Sequence, residues 1–332
     1  MFTYSNDFIK ELSILLAKDF SKDTFINSIG KMYTGVLNGD KVGILSQGDF
    51  KDSVVASCNP NFGDPSAIAQ ETWSLNNFMI AKQFCYDNIL PEMKRAQQLY
   101  DLEANEAANL WMTQYVEKAF VESVIAKAFF ASAESSDNVT AGLNGINGIM
   151  TQILNYVADG AADAEQIVPI TTNTKTWGKT GTNAVDVIEN LIEAAPADVK
   201  ASENAEIIMT QAMYDCLAYD LKINKGMYIE SQWSALFAGL KESTYNGYRI
   251  VIIPALDGII NKLQSGDKWF QKPLLAVMTT SDNLLFGSTS NDEAGVSDTQ
   301  IFNDPNTQTT KVLVKYSLGT VVADPKGFSA AY

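Results

Sequence analysis

The chain contains no histidine. That excludes Ser-His-Asp and Cys-His triads, histidine-ligated zinc and the commonest general base at neutral pH. Arginine is almost as scarce: Arg95 and Arg249 are the only two among 332 residues. A surface that grips phosphate through bidentate forks carries more. The three cysteines, Cys58, Cys85 and Cys216, are odd in number and widely spaced. They exclude a disulfide framework and suit a reducing compartment. No run of about 18 apolar residues exists, so no membrane-spanning helix is expected. Asp7, Lys10 and Glu11 interrupt the first stretch, which therefore does not read as a signal peptide. The Asn138-Val139-Thr140 sequon is accordingly expected to be unused.

What is present is apolar material and negative charge. Hydrophobic residues make up 46% and aromatics 10%, enough to bury a sizeable core in one large domain or a few smaller ones. The formal net charge of −15 argues against nucleic acid or an anionic membrane surface as the main partner.

Periodicity supplies the elements. Phe8, Ile9, Leu12, Leu15 and Leu16 predict a helix over residues 5–20, and a short one is expected over 23–31. From Gly35 to Pro65, five glycines, two prolines and strand-like pieces at 41–45 and 53–57 read as a long hairpin or extended arm. Residues 72–80 have strand composition, and Pro91 is expected to break the chain after 82–90. Between Leu99 and Ala133 an apolar stripe runs through Trp111, Met112, Val116, Phe120 and Val124. Glu103, Glu106, Glu117, Glu122 and Lys127 are assigned largely to the other side. About 30 residues of helix would span roughly 45 Å. Helices follow at 149–157, 183–195 and 211–220, the last directly after a strand at 206–209. Residues 233–240 form a short apolar segment. Asn246-Gly247 between strand-like flanks predicts a two-residue type I′ hairpin, with its second strand stopped by Pro254.

Three strings match the residue types of penicillin-binding active sites: Ser28-Ile29-Gly30-Lys31, Ser136-Asp137-Asn138 and Lys179-Thr180-Gly181. The placement is wrong for that chemistry. Its serine belongs at a helix start and its Lys-Thr-Gly on a strand, whereas 171–183 reads as polar loop. Gly178-Lys179-Thr180 lacks the first glycine of a phosphate loop, since position 173 is Asn173. No catalytic residue, cofactor site or metal site is assigned.

The last stretch, Thr310 to Tyr332, is too ordered for a free tail. Val312, Val314 and Tyr316 alternate with Lys311, Leu313 and Lys315. A second strand over 320–323 is expected after Leu318-Gly319, and Phe328 and Tyr332 are expected to be packed.

Several segments together resemble one family. They are Glu206 to Asp215, Tyr245 to Pro254, Lys272 to Gly287 and Val314 to Phe328, set behind a Gly-rich arm and one long helix. This resembles the major capsid protein of tailed phages, the α+β Hong Kong 97-type fold. The resemblance implies an N-terminal arm at 1–34 and an extended hairpin, the E-loop, at 35–78. It implies a peripheral domain at 79–160 and 285–332 with a spine helix at about 101–133, and an axial domain at 161–284. It further implies a structural protein of the virion, not an enzyme, assembled in the host bacterial cytoplasm. Copies would form hexamers and pentamers of an icosahedral shell around double-stranded DNA, with scaffold, portal and decoration proteins as partners, no cofactor and no membrane. Asp49, Phe50 and Val54 in the arm and Lys225 and Tyr228 in an axial loop are the expected subunit-interface residues. An encapsulin-type shell around a cargo enzyme shares the fold and is the alternative. A Ser-Lys hydrolase built on Ser28 is the remote one.

Overall fold

The computed structural model describes residues 5–21, 29–45, 68–133, 142–170, 183–222, 241–263, 273–289, 296–304 and 306–332. In chain order the first elements are α1 (Asn6–Ser21), β1 (Lys31–Tyr33), β2 (Lys41–Leu45), β3 (Ile68–Thr72), β4 (Leu75–Cys85), α2 (Tyr86–Tyr100) and α3 (Ala104–Phe130). After them come α4 (Ile149–Ala158), β5 (Ile167–Val168), α5 (Ala184–Ala194), α6 (Ala197–Ala201), β6 (Ala205–Met209) and α7 (Gln211–Asp220). The chain closes with β7 (Lys241–Tyr245), β8 (Tyr248–Ile252), α8 (Pro254–Leu263), β9 (Ala276–Thr280), β10 (Leu284–Gly287), β11 (Val296–Asp304), β12 (Thr309–Val322) and β13 (Phe328–Ala331).

Two sheets carry the fold. In the first, β12 is the axis: residues 309–316 have β11 on one side and β4 on the other, both antiparallel. Its far end, 319–322, exchanges β11 for β10, which in turn pairs in parallel with β1. The second sheet runs β5-β13-β9-β6-β8-β7. A separate antiparallel pair joins β2 to β3.

The second sheet is covered on both faces. Ile208, Val251 and Val277 point into the main core with α3, α4 and α8. Their neighbours Ile207, Met209, Ile250, Ile252, Ala276 and Met278 point the other way, into a core with α5 and α7. Continuous apolar runs in β6 and β8 follow from that double cover, as expected of a parallel pair.

Local chemistry explains most boundaries. Asn246 and Gly247 have φ of 51° and 86°, the positive values of the expected hairpin turn. Pro254 ends β8 and opens α8, where a missing N–H costs nothing. Thr210 caps α7 by accepting from Met213 N at 3.3 Å. Gly148 lets α4 start against the end of α3, since a Cβ there would meet the Phe129 carbonyl carbon at 2.7 Å.

Four expectations are corrected. Pro91 does not end a helix but lies inside α2, near its N-terminal end, and buried Ile89 and Met93 hold that helix against Ala108. The long helix starts at Ala104, later than expected, because Asp101 turns left-handed at φ 54° and the Glu106 carboxylate accepts from Glu103 N at 3.2 Å. Lys31 belongs to β1, not to a short helix. Leu318-Gly319 makes no turn: β12 is one strand of 14 residues. Gly319 is small there because Leu75 and the Ser74 carbonyl pass close by. Phe328 is fully buried and Tyr332 packs on the main core, as expected. Residues 53–57 and 233–240 lie outside the described residues.

Candidate functional site: a strand edge, a groove and a buried lysine

β4 pairs with β12 along its whole length, and among the described residues nothing pairs with its other edge. An edge of this length offers unpaired backbone donors and acceptors to another chain. Beside it, between β4 and α3, lies a groove of about 600 Å³ lined by Met79, Ile80, Lys82, Tyr115, Ser123 and Lys127 among others. Met79 and Tyr115 are exposed large hydrophobics, at 58% and 37%.

The floor of the groove is polar in an unusual way. Lys127 is only 8% exposed. Its ammonium donates to Tyr316 Oη at 2.8 Å and to Ser123 Oγ at 3.0 Å, and those two hydroxyls are 2.9 Å apart. It also lies 4.4 Å from the Phe78 ring centroid and 5.2 Å from that of Tyr316. No carboxylate pairs with it among the described residues. Burial lowers its pKa to about 8 and pushes that of the Tyr316 hydroxyl well above its ordinary value. Tyr316 is in turn clamped edge-on by Phe120 at 5.2 Å between centroids.

Lys127, expected largely off the apolar stripe of α3, is buried on it, which corrects that expectation. Phe120 and Lys127 are seven residues apart, two helical turns, so they share a face. That spacing was the available signal. Ser123, one turn earlier than Lys127, and Tyr316, on the buried face of β12, were not singled out for chemistry.

Elsewhere the polar groups serve packing. Asp257 on α8 accepts from Gln211 N at 2.8 Å and Ala212 N at 3.0 Å, capping α7 from a neighbouring helix. Gln152 on α4 bridges to β12, giving to the Thr320 carbonyl at 2.8 Å and accepting from Val322 N at 2.9 Å. Among the described residues no group of three or more acidic or cysteine side chains is placed to hold a metal. No described helix is long and apolar enough to cross a membrane.

No protein-family model and no curated protein sequence matches the chain. Solved structures do. A chain of the satellite phage P4 procapsid that includes the size-determination (Sid) protein matches with TM-score 0.55 and 11% identity, covering 100% of this chain and 92% of its own. A chain from Gordonia phage Cozz matches with TM-score 0.55 and 14% identity over 92% and 85%. The capsid of an empty GTA particle matches with TM-score 0.53 and 14% identity over 92% and 88%. The chain has a phage capsid-subunit fold.

Within this capsid fold the expected interface residues are not brought into view: Asp49, Phe50, Val54, Lys225 and Tyr228 all lie outside the described residues. So do Ser28, Ser136 to Asn138 and Lys179 to Gly181. Of the first string, Lys31 is described, and it pairs with Asp282 at 2.8 Å with both side chains half exposed. The exposed strand edge and the groove are surfaces that the sequence reading did not single out.

Proposed function

We propose that the chain is the major structural subunit of an icosahedral phage-type head. Many copies tile into hexamers and pentamers around double-stranded DNA, which they enclose without reading its sequence. The observation that carries this is the likeness to chains of the P4 procapsid and the GTA capsid over 92–100% of the length. An acidic chain with two arginines suits a wall that encloses DNA without gripping it.

The reading divides the chain into working parts. Residues 1–34 form an N-terminal arm, and 35–78 an E-loop that reaches a neighbour. Residues 79–160 and 285–332 form the peripheral domain, and 161–284 the axial domain that meets other copies at a symmetry axis. The E-loop assignment is supported by the β2–β3 pair, a two-stranded ribbon separate from both sheets. The spine-helix role of α3 is supported by its 27 residues, about 40 Å, running under β12. Asp49, Phe50 and Val54 on the loop, and Lys225 and Tyr228 on the axial side, are the proposed contacts between copies. Scaffold, portal and decoration proteins are the further proposed partners. The assembled particle is the virion, built in the host bacterial cytoplasm.

Electron microscopy and sedimentation of the expressed chain, with and without a co-expressed scaffold, test the reading. Closed shells or capsomers support it, and a monodisperse monomer under every assembly condition overturns it. Shells filled with a folded protein instead of nucleic acid would move the assignment to an encapsulin-type compartment.

A further inference from the structure

Shell building does not require a buried lysine with no counter-charge among the described residues, set in the wall of an open groove. We propose that Lys127 is a covalent amine site, whose Nζ condenses with a small aldehyde admitted to the groove between β4 and α3. The proposal is independent of the shell reading.

A lysine nucleophile must be neutral, reachable and close to a group that moves protons. Geometry makes Lys127 reachable and sets it beside such a group, and burial enlarges its neutral fraction. No carboxylate holds it in the charged form among the described residues, and burial disfavours that form. At pH 7 its free-amine fraction exceeds that of an ordinary lysine by roughly two orders of magnitude. Lys127 lines a groove of about 600 Å³, which brings a small molecule to its side chain although little of it is exposed. Tyr316 Oη is 2.8 Å away and stays protonated because burial raises its pKa.

The groove also selects the class of reagent. Ile80, Ala119, Ala126, Leu143 and Ile259 give apolar walls to receive a hydrocarbon body. The titratable groups that line it besides Lys127 are Lys82 from β4 and Tyr115 and Glu122 from α3, and Tyr316 from β12 touches the amine. In the reaction the nitrogen lone pair attacks the carbonyl carbon and a C–N bond forms. Through Tyr316 a proton passes from nitrogen to the carbonyl oxygen, giving a carbinolamine. Loss of water breaks the C–O bond and leaves the imine, with no change in oxidation state. Ser123 is a positioning hydroxyl and not the nucleophile. It lies in the interior of α3, where backbone N–H groups are spent on the helix and none is left to hold an oxyanion.

The test is reductive labelling of the full chain at pH 7 with propionaldehyde and cyanoborohydride, followed by peptide mapping. Lys127 is expected to label at least about 10-fold faster than exposed Lys94 and Lys326, a margin that disappears on denaturation. In Tyr316→Phe, Lys127 labelling is expected to slow while Lys94 labelling does not change. Labelling of Lys127 at or below the rate of Lys94 in the folded chain overturns the proposal. Unchanged Lys127 labelling in Tyr316→Phe overturns the proton-transfer role given to the tyrosine.

Discussion

Replacing Lys127 by methionine removes a charge while roughly keeping the side-chain volume beside Phe78 and Tyr316. The lysine pKa falls from 10.5 to about 8 on folding, which at about 1.4 kcal/mol per pH unit favours the neutral amine by about 3 kcal/mol. The sign follows from proton counting. Between about 8 and 10.5 the unfolded chain holds a proton that the folded chain has released, so native stability rises with pH across that window. Below it both states are charged and the full cost of burial is felt. Against this, the variant loses two hydrogen bonds, together about 2 kcal/mol. Lys127→Met is therefore expected to be about 1 kcal/mol more stable than the parent at pH 7 and about 2 kcal/mol less stable above pH 10.5. Urea unfolding of the dissociated subunit, followed by tryptophan fluorescence at pH 7, 8, 9 and 10, measures the difference directly. Other titrating groups cancel in the comparison. A difference constant with pH to within about 0.5 kcal/mol would refute the burial argument.

Three further substitutions probe the frame around the groove, each read by thermal or urea unfolding. Phe120→Ala empties the site that clamps Tyr316 and is expected to cost about 3–5 kcal/mol, with a loss under 1 kcal/mol showing that the contact is not packed as described. Gly148→Ala pushes a methyl group into the Phe129 carbonyl, which is backbone and cannot swing away, so a loss of about 1–3 kcal/mol is expected. Asp257→Ala uncaps α7 and is expected to lose about 1–2 kcal/mol, with amide exchange of Gln211 and Ala212 accelerated; unchanged exchange would rule out the cap.

Where local order decides the outcome, sequence and structure agree. Val312, Val314 and Tyr316 do face the core, because a strand places alternate residues on one side whatever its neighbours are. Asn246-Gly247 makes its turn because both residues tolerate positive φ. The step from 206–209 into 211–220 is legible because the apolar run over residues 207–209 is followed at once by a threonine cap. The expected capsid-type architecture likewise rests on the order of elements, which the chain itself carries.

Other features depend on partners distant in sequence. Leu318-Gly319 looks like a turn locally, yet β4 and β10 on either side keep the strand going. Pro91 looks like a break, but the packing of Ile89 and Met93 on Ala108 holds α2 intact through it. The candidate site shows the same limit most clearly. Lys127 and Ser123 lie one turn apart on α3, but Tyr316 comes from a strand 189 residues further along. Composition and periodicity determined that this chain combines helices and strands, lacks histidine chemistry, and has one long helix and a packed last stretch. Only the tertiary structure decided that the lysine is buried, with no counter-charge among the described residues. The cost of desolvating it depends on what β4 and β12 bring to that face of the helix, and no local pattern encodes that.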